Sequence, residues 1–254
     1  MRSIIISLCI MTFTILNAQE KDALSIISLK CENLFNPLCI ENQHPGLSWQ
    51  LQSDAKNIKQ SAYRILVSDD PEKLNSDNGN MWDSKRVISD RSVLVRYDGK
   101  ILKPATMYYW KVRVWDASGD ASGWSKTGTW QMGLLSLSYW EDAQWICFEE
   151  MPNSLRIVPG VHLNCDNLGQ RGMQRPVIPL FRREFDATDK IESATLYISG
   201  LGHYEVYLNG DRIGKSFLTP GWTHYDKTVL YNTYDVTGNL KSGRNAIGTI
   251  VGNG

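Results

Sequence analysis

From Ser25 to Met132 apolar residues recur at every second position far more often than at helical spacing. Leu47, Trp49 and Leu51 alternate with Ser48 and Gln50, and Tyr63, Ile65 and Val67 alternate with Arg64 and Leu66. Val93 and Val95 flank Leu94, while Trp110, Val112 and Val114 alternate with Lys111 and Arg113. Successive side chains of a strand point to opposite faces, so each run predicts a strand with one face buried. His44-Pro45-Gly46, Ser68-Asp69-Asp70-Pro71, Asp98-Gly99-Lys100 and Ser118-Gly119-Asp120 separate the runs with turn-forming residues. Such a chain buries its apolar faces by packing one sheet on another, which predicts a β-sandwich over residues 24–134 with Trp49, Trp110 and Trp115 in or near its core.

The pattern breaks and then resumes. Pro152, Pro159, Pro176 and Pro179, with Gly160, Gly169 and Gly172, interrupt any period over 149–179, which reads as a long loop or linker. Trp140 and Trp145-Ile146 precede it, and a first strand of a second domain, 139–254, is expected there. Beyond Leu180 the runs Phe181-x-Arg183-x-Phe185, Ala194–Ile198 and His203–Leu208 read as further strands. Asn209-Gly210 joins the last of these to Asp211–Gly214 as a two-residue hairpin turn. No helix longer than a turn is required, so the fold class is all-β.

Charge narrows the partners. Lys+Arg and Asp+Glu each count 27, for a formal net charge of +0, so there is no basic footprint for nucleic acid or for an anionic membrane surface. Nine Trp and 11 Tyr suit strands and sugar-binding surfaces. Arg2, the apolar run Ile4–Leu16 and Ala18 form a signal-peptide pattern over 1–18, which predicts an exported, periplasmic or extracellular protein. That run is shorter than the roughly 20 residues of a transmembrane helix, and an uncleaved anchor is the alternative. After export Cys31, Cys39, Cys147 and Cys165 either pair, locally as Cys31 with Cys39 and Cys147 with Cys165, or remain buried thiols. No CxxC pair occurs, and the four histidines lack zinc-ligand spacing.

Two stretches resemble known families. Leu102-Lys-Pro104-Ala-Thr106-Met-Tyr108, followed by Gly123-Trp124-Ser125 and Gly128-Thr129-Trp130, resembles fibronectin type III domains and their tyrosine corner. Ile198-Ser-Gly200-Leu-Gly202-His-Tyr204-Glu205 through Asn209-Gly210 to Gly214 is similar to the N-terminal region of bacterial α-L-rhamnosidases. So are Leu218-Thr-Pro220-Gly221-Trp222-Thr223-His-Tyr225-Asp226 and Tyr231-Asn-Thr-Tyr234-Asp235-Val236-Thr237. The resemblance implies a fibronectin III/Ig-like sandwich followed by a jelly-roll-like, galactose-binding-like sandwich. It also implies an inverting glycoside hydrolase acting on rhamnose-containing carbohydrate, whose paired carboxylates lie in a catalytic barrel farther along in cis. The last residues, Arg244–Gly254, read as a strand cut in mid-sheet, an exposed edge that would lower solubility.

Within the resemblance, no catalytic residue is assigned to this chain. The candidate sugar contacts are Trp222, Tyr225, Asp226 and Lys227: an aromatic ring to stack on the sugar, a carboxylate to accept from hydroxyls and an ammonium to donate. No cofactor is required, and calcium on Asp226 is a possible ligand. The competing reading is a packed turn at Pro220-Gly221-Trp222 with Asp226 a surface acid. Glu205 is read either as an acid facing Asp211 or Asp226, or as a strand-face partner of Arg212. Asp235 and Thr237 are expected to cap a turn.

Overall fold

A computed structural model describes residues 24–140, 142–148, 178–188 and 190–252. The expected signal peptide, Cys165 and nearly all of the expected 149–179 loop lie outside them. The described chain is almost wholly β and forms two compact units. The first holds the chain up to Asn36, Asn42–Ile101 and Met107–Thr129; the second holds Pro37–Glu41, Leu102–Thr106 and the chain from Trp130.

In the first unit β1 (Ser25–Cys31), β2 (Gly46–Gln52) and β6 (Val95–Arg96) form an antiparallel sheet in the order β1-β2-β6. The facing sheet is built on β3 (Gln60–Ser68) and β7 (Met107–Asp116), in register from Ala62 against Trp115 to Ser68 against Tyr109. Around that pair lie β4 (Trp82–Asp83), β5 (Val87–Ile88) and β8 (Gly128–Gln131), in the order β4-β3-β7-β8 with β5 also on β3. The period-two positions meet in the middle: Leu47, Ile65, Val67, Val112 and Val114 are fully buried, and Trp49 packs edge-on to Tyr63 at 5.3 Å. The indole N–H of Trp49 donates to Gln60 Oε1 at 3.0 Å, and the Gln60 amide donates to the Ser89 and Arg91 carbonyls. A buried glutamine is tolerated because its polar atoms are satisfied.

Several expectations shift locally. The Ser68–Pro71 cluster opens a short helix, α1 (Pro71–Asn75), because Asp70 caps the Glu72 and Lys73 N–H groups and Pro71 sits where a missing N–H costs nothing. Val93 is exposed and strand β6 begins only at Val95, because Leu94 adopts φ +49, which a strand cannot continue. Trp115 is only half-buried, on the outer face of β7. Cys31 and Cys39 are free thiols, not a pair, and Cys147 is free and exposed.

The second unit has a four-stranded antiparallel sheet in the order β12-β11-β14-β9. Its strands are β9 (Leu180–Ala187), β11 (Tyr204–Leu208), β12 (Asp211–Ile213) and β14 (Gly243–Val251). A two-stranded sheet pairs β10 (Thr195–Ser199) with β13 (Tyr231–Asp235). Tyr204, Val206, Leu208 and Ile213 from the first sheet meet Leu196, Ile198 and Tyr234 from the second in one apolar core. The expected strand at Trp145-Ile146 is absent: Leu137–Trp140 forms a 3-10 turn, and Trp145 and Ile146 are 65% and 68% exposed with no strand beside them. The cut-edge expectation for Arg244–Gly254 is also corrected. Strand β14 is central, hydrogen-bonded to β11 on one side and β9 on the other.

Candidate sugar-binding loop and the acids of the second sheet

Tyr204 starts β11, and its N–H donates to the Thr219 carbonyl at 2.8 Å, which pins the start of the loop that carries the candidate contacts. Thr219 and Pro220 are buried. At the other end Ser199 Oγ donates to the Leu230 carbonyl at 2.8 Å. Between these anchors the Lys227 and Thr228 N–H groups both donate to the His224 carbonyl, and Thr223 Oγ1 donates to the Thr228 carbonyl, so 223–228 is a closed turn.

That turn leaves the candidate side chains outward. Trp222 is 63% exposed, Asp226 and Lys227 are exposed, and Tyr225 is half-buried. None of the four side chains makes a hydrogen bond within the described residues. The turn thus brings the four onto one short loop, with an indole face and two charges open to solvent. It does not fit a calcium cage: no group of three or more His, Cys, Asp or Glu side chains able to hold a metal occurs among the described residues, whereas calcium takes six to eight oxygens. Pro220 packs as the competing reading expects; Trp222 does not.

Glu205 is already occupied. Its Oε1 lies 3.2 Å from Arg212 and its Oε2 accepts from the Tyr207 hydroxyl at 2.7 Å. This follows from the register, in which Tyr207 stands opposite Arg212 and Glu205 shares their face of the sheet. The hydroxyl's bond to the carboxylate raises the Tyr207 pKa. The sequence reading named Arg212 but missed Tyr207, although the i, i+2 spacing on a strand was a usable signal. Asp211 is exposed at the start of β12. Asp235 Oδ1 accepts from both the N–H and the hydroxyl of Thr237, which closes the expected turn and lowers the Asp235 pKa.

An unanticipated network supports the sheet above the hairpin. Asn245, 1% exposed, donates to the Lys241 and Gly243 carbonyls at 2.7 Å. Its oxygen accepts from the Lys241 N–H and from the Asn209 amide. Asn209 in turn accepts from the Ala246 N–H at 3.0 Å.

Comparison with known proteins is consistent over both units. Residues 26–136 match the Rha78A-like, N-terminal immunoglobulin domain, and residues 189–254 match the α-L-rhamnosidase N-terminal domain. An α-L-rhamnosidase of Formosa agariphila is 40% identical over 225 residues, covering 86% of this chain and 23% of that protein. One of Streptomyces avermitilis is 36% identical over 238 residues, 91% of this chain and 22% of its own length. The solved α-L-rhamnosidase of Dictyoglumus thermophilum matches with TM-score 0.76 at 38% identity, over 91% of this chain and 25% of that one. The Aspergillus terreus enzyme matches with TM-score 0.67 at 30% identity, over 91% of this chain and 24% of that one. The chain therefore spans about a quarter of the length of these relatives. With both domains matched in order, the chain belongs to the α-L-rhamnosidase family and corresponds to its N-terminal region.

Proposed function

We propose that the chain is the N-terminal accessory region of an exported α-L-rhamnosidase acting on terminal α-L-rhamnose of glycans or glycosides, with the catalytic carboxylates outside these 254 residues. The observation that carries the reading is the ordered match of two all-β domains to enzymes about four times as long. The state of Glu205 supports it. An inverting hydrolase needs one carboxylic acid and one carboxylate roughly 6.5–9.5 Å apart across a cleft. Glu205 instead engages both oxygens with Arg212 and Tyr207 on a sheet face. The test is hydrolysis of an aryl α-L-rhamnoside by the purified, folded chain. No turnover is expected; turnover abolished by Glu205→Gln would place catalysis here and overturn the proposal.

A second reading is a carbohydrate-binding or adhesive module in its own right, favoured by the exposed Trp222 beside Tyr225, Asp226 and Lys227. Titration with L-rhamnose, with and without calcium, tests it. Binding lost in Trp222→Ala supports the loop as a sugar site, and calcium is expected to add nothing to it. Absence of binding by the folded chain would remove the four residues from any such site.

A further inference from the structure

The outer face of the β3–β7 sheet gathers charge on a chain that is neutral as a whole. Arg64 on β3 stands directly opposite Arg113 on β7, a like-charge pair that is unfavourable unless something separates or compensates it. The Trp124 ring does so: Arg113 lies 4.5 Å, Lys111 5.0 Å and Arg64 5.8 Å from its centroid. On the same face, Arg86 stacks on Trp115 at 4.8 Å. Two carboxylates answer these cations. Asp83 takes both Arg64, in a two-pronged pair at 2.8–2.9 Å, and Lys85; Asp77 takes Lys111 and the Trp124 N–H. In this contact network five cations (Arg64, Lys85, Arg86, Lys111, Arg113) thus meet two acids, an excess of three.

The excess is not evenly spread. Asp77 and Asp83 are directly paired with Lys111, Arg64 and Lys85, whereas Arg86 and Arg113 make no close ion pair among the described residues, and Arg113 feels Asp77 only through space. Arg113 Nε is buried without an acceptor. Arg113 and Trp115 follow each other on one face of β7, about 7 Å apart at the rise of a strand. A guanidinium stacked on an indole is held flat with its forked N–H groups fixed, the preorganisation that favours two-pronged binding of an oxyanion.

We propose that this face, with Arg86 and Arg113 as its two anchors, binds an anionic polysaccharide through the carboxylates or sulfates of neighbouring sugars. The choice of a saccharide over an acidic peptide rests on the rhamnosidase reading above; the oxyanion site itself rests only on the geometry of the first unit. Binding of the purified chain is measured against alginate as the polyuronate, dextran sulfate as the sulfated polymer, neutral dextran and polyglutamate. The expected result is binding to alginate or dextran sulfate, weakened by salt, with none to dextran and less to polyglutamate. Which of the two anionic sugars binds distinguishes carboxylate from sulfate.

The variants Arg86→Ala/Arg113→Ala and Arg86→Lys/Arg113→Lys, checked for native folding by circular dichroism, are both expected to bind about tenfold more weakly, because lysine keeps the charge and loses the fork. Lys190→Ala, in an exposed pair with Glu192, is expected to bind as the native chain does. The site is overturned if neither anionic polymer binds, or if the lysine variant binds as tightly as the native chain. Equal affinity for polyglutamate would overturn the saccharide assignment. None of these outcomes depends on rhamnoside hydrolysis, so this proposal and the rhamnosidase reading fail separately.

Discussion

Asp83 shows how much one carboxylate does when two cations share it on the outer face of the β3–β7 sheet. Its bond to Arg64, with further bonds from Lys85, holds its pKa well below the usual carboxylate range. The unfolded carboxyl titrates near about 3.9, so the pair stabilises the fold fully above that pH, and its contribution drains as pH falls through about 3.9 toward the folded value. Asp83→Asn is therefore expected to cost about 1–2 kcal/mol at neutral pH and progressively less in acid, read from urea unfolding across pH. Burial, reinforced by Glu32, pushes the Cys31 thiol far up, so at neutral pH it carries almost no thiolate and no attacking nucleophile. Thiol titration of the native chain should label exposed Cys147 quickly and Cys31 only after unfolding. A Cys31–Cys39 disulfide would show as two missing thiols in the unfolded chain. The sequence could offer that pair as a local choice, but spacing says nothing of whether two sulfurs face each other.

At the level of elements, what the sequence made legible was what alternation and turn chemistry dictate. Strands β2, β3 and β7, the apolar core between sheets and the Asn209-Gly210 hairpin all follow from period two and from residues that accept positive φ. Asn209 at φ +54 and Gly210 at φ +94 form the turn that matches strand twist, and nothing lies within 4 Å of a Cβ built on Gly210. Gly210→Ala is thus free of clash and should cost only the backbone conformation, about 1 kcal/mol in thermal or urea unfolding. Asn245→Ala should cost more, about 2–3 kcal/mol, because it leaves the Lys241 N–H and one of the two Asn209 amide N–H groups without an acceptor, the other keeping the Asn239 carbonyl. Pairing partners were not legible. Arg244–Gly254 has the composition of a strand anywhere in a sheet, and only long-range pairing makes β14 central. The loop carrying Trp222 was legible as residues and not as geometry, since the exposure of an indole depends on which turn the backbone closes. The stacked Arg113 and Trp124 were hidden for a related reason: Lys111 and Arg113 read simply as the polar face of a strand until Trp124 arrives from another part of the chain.

For the molecule as a whole, the proposed export would change both its charge and the setting of its cysteines. Residues 1–18 contain a single charged side chain, Arg2, so removing them leaves 26 basic against 27 acidic residues, a formal net charge of −1. An apolar run of 13 residues behind one arginine, ending in Asn17-Ala18, is the pattern a signal peptidase cuts; a retained anchor needs roughly 20 apolar residues to span the bilayer. No helix among the described residues is long and apolar enough to cross a membrane. Expression of the chain with its own leader in a Gram-negative host is expected to give a product beginning at Gln19 in the periplasmic fraction, identified by N-terminal sequencing and intact mass. An N-terminus at Met1 in the membrane fraction would establish the anchor instead. A full-length product in the cytosol would remove the export reading, and with it the reason to expect any cysteine of this chain to meet an oxidising compartment.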